Sequence, residues 1–539
     1  MSGSSFGTRV RMHEYWQNFA PSLESMMLDK TASSIHIDEQ EEIFSLLPSI
    51  ENKRVLELGA GIGRYTGLLA SVAHHLTAVD FMEEYISVNE KNHGHLNNIT
   101  YIAADVLDLQ LPPKRFGTIF SNWLFMYLTD QECVSLLQKI LQWLDDDGWL
   151  FFRESCFHSS GNMSRTTNPT FYRTPADYAS LLESAWKSSS DSILEPSEDG
   201  YGYKIINVGS LRSYIKQIIL NRLCTSIRFV ELIVINEKLN SHTSHFAYRR
   251  IHFEKHKNNS YQIYFLAKKV DKLMDSKDNF QSFLDKKQYS RQGVLRYEWI
   301  FGKTFLSTGG LSTTKKYISR LDLKPGQKVL DVGCGIGGHS FYMAENYGVE
   351  VLGVDLSVNM MTVATEYLSE RPHLNNKVKF VICDITKSEY DDGSFDTIYS
   401  RDTLLHIPNK DELFKNFERW LKPGGKILFT DYTRSEKENS SHFEKYINDR
   451  GYNLLTLHQY KELLEKSGFV NVKAEDATEE FLNALHAELD RLRKEKEAFL
   501  REFTEEDFTY LEENWTSKIK RVAEGNQTWT ACYAEKPHA

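Results

Sequence analysis

The chain contains itself twice. Arg54-Val-Leu-Glu57-Leu-Gly59-Ala-Gly61-Ile-Gly63 reads as a buried strand running into a glycine-rich turn, and Lys328-Val-Leu-Asp331-Val-Gly333-Cys-Gly335-Ile-Gly337 reads the same way. A second strand follows at nearly the same distance in each copy, Leu76 to Asp80 after Glu57 and Val351 to Asp355 after Asp331. Third come Tyr101 to Asp105 and Phe380 to Asp384, then Phe116 to Ser121 and Phe395 to Ser400, with the serine equally far beyond its acid in both. Fifth come Gly148 to Glu154 and Gly425 to Asp431. Five landmarks in one order at near-equal spacing are a duplication.

Between the landmarks lie helix-period stretches such as Leu413-Phe414-Phe417-Trp420-Leu421. Short β-branched strands alternating with such stretches predict βαβ units and parallel sheets. The fold class is therefore α/β: two tandem Rossmann-like domains, each a doubly wound, mostly parallel sheet with helices on both faces. The predicted boundaries are residues 1–267 and 280–539, joined by a polar linker at 268–279.

Composition narrows what such a pair of domains does. Lys and Arg total 64 against 74 acidic residues, a net charge of −10, so a generic basic field for nucleic acid is excluded. The six cysteines, Cys133, Cys156, Cys224, Cys334, Cys383 and Cys532, include no CxxC pair, so neither a zinc site nor a disulfide framework follows, and no metal is expected. The most apolar window, Ile215 to Ile235, is interrupted by Lys216, Arg222, Arg228 and Glu231. With no signal-peptide core and no membrane span, the expected location is the cytosol.

In an open parallel sheet, ligands bind beyond the carboxyl ends of the strands. Both turns here are GxGxG rather than GxGxxG, and each is preceded by an acid, Glu57 or Asp331. An acid there is awkward for a dinucleotide pyrophosphate and suits a ligand carrying cations. The second acid, Asp80 or Asp355, is placed to bond ribose hydroxyls, and the third, Asp105 or Asp384, to meet an adenine amino group. This series resembles the class I S-adenosylmethionine-dependent methyltransferases, whose cofactor carries an ammonium, a sulfonium, a ribose and an adenine. A dehydrogenase-type nucleotide fold is the rival reading.

Longer motifs carry a narrower resemblance. Phe283-Leu284-Asp285 to Gln288-Tyr289, Tyr297-Glu298, Ser307-Thr308-Gly309-Gly310, Tyr399 to His406, Trp420 to Gly425 and Asp431-Tyr432 resemble phosphoethanolamine N-methyltransferases. Glu14-Tyr15-Trp16, Met26 to Asp29, Ser121-Asn122-Trp123 and Phe152 to His158 are similar to the first domain of the tandem, plant-type form. The resemblance spans nearly the whole chain. It implies stepwise N-methylation of phosphoethanolamine to phosphocholine, with the first domain associated with the first step and the second with the later ones. It also implies small phosphobase substrates, with no protein partner.

The resemblance further implies site residues. Tyr289 and His406 form the catalytic pair, His406 accepting a proton through its imidazole. Gln288, Tyr297, Asp402, Tyr432, Tyr446, Arg450, Tyr452 and Lys518 hold the substrate, with Arg450 and Lys518 supplying donors to phosphate. Ser307, Asp331, Gly333, Gly335, Asp355, Leu356, Asp384, Ile385 and Ser400 meet the cofactor in the second half. Glu57, Gly59, Gly61, Asp80, Asp105, Val106 and Ser121 do so in the first.

The halves also differ. Aligning Ser121 with Ser400 sets Asn122 against Arg401, Trp123 against Asp402 and Tyr127 against His406, so the first half has no histidine where the second has its base. Its acceptor is expected to be Tyr15 with Tyr127, or it works by positioning alone. The stretch at roughly 217–256 lies outside the family pattern, either as an insertion at a hairpin tip or as translated intron sequence. The remaining alternatives are a methyltransferase for glycine-type amines, and one active half with an inactive regulatory partner.

Overall fold

The computed structural model describes residues 5–29, 32–157, 170–185, 201–211, 262–271, 284–285 and 289–538. The chain divides into two units, Met1–Asn279 and Phe280–Ala539. The N-terminal sheet is built from β1 Arg54–Leu58, β2 His75–Asp80, β3 Ile99–Ala103, β4 Phe116–Asn122, β5 Leu144–Ser155, β6 Tyr201–Ser210 and β7 Gln262–Asp271. The C-terminal sheet uses β8 Lys328–Val332, β9 Glu350–Asp355, β10 Val378–Ile382, β11 Phe395–Arg401, β12 Leu421–Arg434, β13 Val470–Asp476 and β14 Gln527–Glu535. Their orders are β3-β2-β1-β4-β5-β7-β6 and β10-β9-β8-β11-β12-β14-β13, the same permutation twice. Five parallel strands run from one edge, and the last two pair antiparallel at the other.

The central strands are covered on both faces, so they read as continuous apolar runs rather than alternating ones. Val55, Leu56 and Leu58 of β1 are each fully buried, as are Val329 and Leu330 of β8. In the N-terminal unit the stacked rings of Phe120, Phe151 and Tyr264 cross β4, β5 and β7, with centroids 5.5 and 5.9 Å apart. In the C-terminal unit, helix Lys410–Trp420 buries Leu413, Phe414, Phe417 and Trp420 against the sheet. Leu421, the last member of that apolar stripe, opens β12 instead.

Two expectations meet the structure at the edge of the first sheet. Residues 268–271, read as the start of the linker, are the end of β7, because their pairing with β6 continues to Tyr201 opposite Asp271. Ser210 stands opposite Ile263, so β6 and β7 complete the sheet on either side of the connection between them. The segment at 217–256 and the remainder of the expected linker lie outside the described residues. Among the described residues no helix is long and apolar enough to cross a membrane.

Trp420 is fully buried, with its ring 4.9 Å from Tyr390 and 5.9 Å from Phe417. Trp420→Ala should destabilise the C-terminal unit by about 3–5 kcal/mol through the cavity it leaves. Urea denaturation of the full chain followed by circular dichroism measures this, and a loss under about 1 kcal/mol would mean the core re-collapses around the gap.

Candidate functional site

Both glycine turns leave the first strand of their sheet and close against the second. Gly335 N–H donates to Asp355 Oδ2 at 3.0 Å and Ser357 N–H to Oδ1 at 2.9 Å. Gly61 N–H and Met82 N–H make the same pair of bonds to Asp80, both at 2.9 Å. Gly333 takes φ +67°, and a Cβ there would stand 2.1 Å from Thr403 Oγ1, so the turn admits no side chain at that position.

Beyond the carboxyl ends of β8 to β11 lies a cavity of about 650 Å³. Of the residues expected to meet a cofactor, Ser307, Gly333, Gly335, Asp355, Leu356, Asp384 and Ile385 line it. A second cavity, about 100 Å³, is lined by Tyr297, Tyr432, Tyr446, Arg450, Tyr452 and Lys518. Tyr289, Asp402 and His406 line both. Gln288 lies outside the described residues.

Two expected residues do not reach the cavity. Ser400 is buried, and its hydroxyl donates to the Val332 carbonyl at 2.8 Å, tying β11 to β8 behind the site. Asp331 is fully buried beneath the turn, where Oδ2 accepts from Ser340 Oγ at 2.6 Å and Oδ1 has no partner. Burial, with Asp355 adding to it, raises the Asp331 carboxyl to about 7.

At the wall shared by the cavities, Tyr289 Oη is 3.3 Å from His406 Nε2. The Tyr452 ring packs edge-on to the imidazole at 5.3 Å. Burial, assisted by the charges of Lys410 and Arg450, lowers His406 to about 4, and burial raises the Tyr289 hydroxyl above its ordinary value. The pair is neutral at pH 7. Asp402, at φ +51°, is held by Trp529 Nε1–H at 2.7 Å, Thr430 Oγ1–H at 2.8 Å and the Thr308 N–H at 3.2 Å.

The loop that carries His406 is held by the fifth strand of its sheet. Asp431 accepts from Tyr460 Oη and from the Leu405 N–H, and Lys410 Nζ donates to the carbonyls of Ile407 and Asn453 at 2.6 and 2.7 Å. In the N-terminal unit Glu154 does the equivalent work, accepting the N–H groups of Leu124, Phe125 and Met126 at 3.1, 2.9 and 3.1 Å.

The N-terminal cavity, about 100 Å³, is lined by six of the seven residues expected there: Glu57, Gly59, Gly61, Asp80, Asp105 and Val106. Ser121 is buried in β4 and does not reach it. Tyr127 lines it, 5.6 Å from the Trp16 ring, but Tyr15 does not, because its ring is packed between Trp16 and Phe19. Burial raises the Glu57 carboxyl to about 8 even though Thr66 Oγ1 donates to it at 2.6 Å.

Cations not expected from the sequence also line the cavities, among them Lys387 in the large C-terminal one. Arg64 lines the N-terminal cavity; Nη2 pairs with Glu39, which Arg153 shares, while Nε and Nη1 are buried without a partner. Its signal was its place directly after the last glycine of the turn. Arg521 lines the small C-terminal cavity, one helical turn beyond Lys518 on helix Glu505–Ala523, so the i, i+3 spacing was its signal.

Models of methyltransferase domains match residues 55–148 and 323–498. The phosphoethanolamine N-methyltransferase 3 of Arabidopsis thaliana is 44% identical over 538 residues, 99% of this chain and 100% of that protein. A phosphoethanolamine N-methyltransferase of Triticum aestivum is 42% identical, covering 97% of this chain and 94% of its own. Among solved structures, Haemonchus contortus phosphoethanolamine N-methyltransferase 1, in complex with phosphoethanolamine and S-adenosylhomocysteine, superposes with a TM-score of 0.66. That match covers 99% of this chain and 98% of the other, and at 20% identity it is a likeness of fold.

The state of His406 is directly measurable. With its folded pKa depressed to about 4, the imidazole should stay neutral as pH falls from 8 to 5.5 in the ligand-free protein. Histidine-selective NMR of the full chain, with His406→Gln to assign the signal, should show no titration in that window. A midpoint near 6.5, the unperturbed value, would refute the buried arrangement.

Proposed function

The chain belongs to the phosphoethanolamine N-methyltransferase family, and we propose that it converts phosphoethanolamine stepwise to phosphocholine, the N-terminal half performing the first methylation and the C-terminal half the later ones. The observation that carries the reading is the position of Tyr289 and His406 on the wall between a large cavity and a small cationic one. A donor in the first and an acceptor in the second would meet at this pair.

The large cavity fits S-adenosylmethionine, which supplies an electrophilic methyl group on a sulfonium. Asp355 and Asp80 are placed to accept from ribose hydroxyls, and Asp384 with Ile385, or Asp105 with Val106, to flank the adenine. Asp331 braces its turn from beneath through Ser340 without reaching the cavity, while the buried carboxyl of Glu57, which lines the N-terminal cavity, suits the cationic amino-acid end. Ser307 can donate to its carboxylate in one half, and the unpartnered Arg64 nitrogens can do so in the other.

The acceptor amine has a pKa near that of lysine, roughly 10, so it arrives mostly protonated and must lose a proton before its lone pair can attack. His406 Nε2 takes the Tyr289 hydroxyl proton in its hydrogen bond, leaving the phenol oxygen to accept from the amine N–H. The ammonium proton passes toward this pair before the N–C bond forms, and in the last methylation no further proton leaves, since the product nitrogen carries no hydrogen. Arg450 is one of the charges that depress His406, so a phosphate seated on Arg450 offsets it and makes the imidazole more basic once substrate is bound. Asp402 faces the same junction and attracts the cationic nitrogen. In the first half Tyr127 and Trp16 stand where the second half has this machinery, and that site works by enclosing and aligning the amine.

The test is methyl transfer by the full chain to phosphoethanolamine and to its mono- and dimethyl forms, offered separately. Asp80→Asn should abolish only the first methylation and Asp355→Asn only the later two. His406→Ala should cut kcat of the later steps by about 10²–10⁴. If Asp80→Asn leaves the first step intact, the N-terminal half is a regulatory partner. Turnover of glycine or sarcosine in place of the phosphobases would move the substrate class to carboxylate amines.

A further inference from the structure

The small cavity of the C-terminal half carries more positive charge than its own carboxylates balance. Arg450, Lys518 and Arg521 line it against the single carboxylate of Asp402, leaving two positive charges. Arg450 and Arg521 approach the same ring, that of Tyr446, at 6.0 and 3.8 Å from its centroid. Arg521 is 8% exposed and donates Nε–H to Gln527 at 3.0 Å. After burial, the groups acting on Arg450 are tyrosines and those acting on Arg521 are tyrosines and Arg450, and among the described residues neither guanidinium pairs with a carboxylate. Asp402 is already engaged by Trp529, Thr430 and Thr308. Glu488, whose charge acts on Lys518, does not line the cavity and accepts from Trp515 Nε1–H and the Gly309 N–H, each at 2.8 Å.

Buried charge without a counter-ion is costly, so a cavity with two surplus charges favours the ligand that removes both. A phosphate monoester is close to a dianion at pH 7, its second pKa being about 6. A sulfonate or carboxylate carries one charge and leaves the other uncompensated. We propose that Arg521 is a specificity-determining residue that tunes this cavity, with Arg450 and Lys518, to a doubly charged phosphorus oxyanion, so that 2-aminoalkylphosphonates are methylated alongside phosphobases while the matching sulfonates are refused.

The inference rests on reading the C-terminal half as a phosphobase methyltransferase. The chemical step is unchanged: the ammonium proton leaves toward Tyr289 and His406, the amine lone pair then forms the new N–C bond, and the S–CH₃ bond breaks with its electrons staying on sulfur. Only the anion at the far end of the acceptor differs.

Three acceptors offered to the full chain test it: phosphomonomethylethanolamine, N-methyl-2-aminoethylphosphonate and N-methyltaurine. The phosphonate should turn over with KM within about tenfold of the phosphobase, and N-methyltaurine should show KM at least about 100-fold higher. Arg521→Gln should raise KM for both phosphorus acceptors by about 10- to 100-fold, leave KM for S-adenosylmethionine unchanged and narrow the gap to N-methyltaurine. Arg521→Lys should restore most of the loss. Refusal of the phosphonate, equal use of N-methyltaurine, or an unaltered phosphonate-to-sulfonate ratio in Arg521→Gln would each overturn the inference. Refusal of phosphomonomethylethanolamine itself would instead sink the functional reading beneath it.

Discussion

The hydrogen bond from the middle glycine of each turn to the acid ending the second strand, Gly335 to Asp355 and Gly61 to Asp80, is the constraint on which the rest of each unit depends. It fixes the turn to the neighbouring strand, so the backbone bends away from the sheet and leaves a hollow at its edge. The same carboxylate takes a second N–H from the start of the next helix or loop, Ser357 in one unit and Met82 in the other. One acid thus sets the floor of the cavity, the exit of the second strand and the direction of the next element. Losing both bonds would free a loop whose glycines have little preference of their own.

Much of this was legible because it is local. The acids, glycines and strand order recur at fixed spacing, and the repeat makes each copy a check on the other. What spacing does not give is which way a side chain faces at the end of a strand. Ser400 and Ser121 share a position in the repeat, yet both are buried within the sheet, while Asp402, two positions beyond Ser400, is swung into the site by a left-handed backbone. The cationic cavity draws Tyr289, Arg450 and Arg521 from elements far apart in the chain, so only folding assembles it. Arg521 was invisible for that reason, although its helical spacing from Lys518 was in plain view.

The two units differ most where β4 and β5, or β11 and β12, end beside the site. In the C-terminal unit Arg401 of β11 donates to Thr430 of β12 at 2.7 Å and lies 5.1 Å from the Tyr317 ring. In the N-terminal unit the arginine has moved across the pair: Asn122 stands in place of Arg401, and Arg153 in place of Thr430. Arg153 lies 3.9 Å beneath the Trp123 ring and pairs with Glu39. Trp123 occupies the position that Asp402 holds in the other unit. A buried guanidinium is kept in both, but an aromatic ring replaces the Asp402 carboxylate beside the cavity.

That exchange left the scaffold intact because the loop after the fourth strand is held from behind, not by the residues that face the ligand. Glu154 and Asp431 sit at matched positions, fully buried, and each anchors the loop from the side opposite the cavity. The acid's role therefore survives whether the loop carries Tyr127 or His406. Chemistry could diverge at the tip while the anchor stayed constant, which is how a duplicated domain can acquire a second acceptor without relearning its fold. The different handling of charge follows from the same division. The N-terminal unit neutralises part of its buried arginine charge with Glu39, whereas the C-terminal unit leaves Arg450 and Arg521 without a carboxylate among the described residues. Both sites therefore keep buried positive charge that an anion offsets, Arg64 in one and Arg450 with Arg521 in the other. The N-terminal unit holds its guanidiniums on a shared carboxylate and the C-terminal unit holds its own against a tyrosine ring, a difference that separates the two sites along with the presence or absence of a histidine.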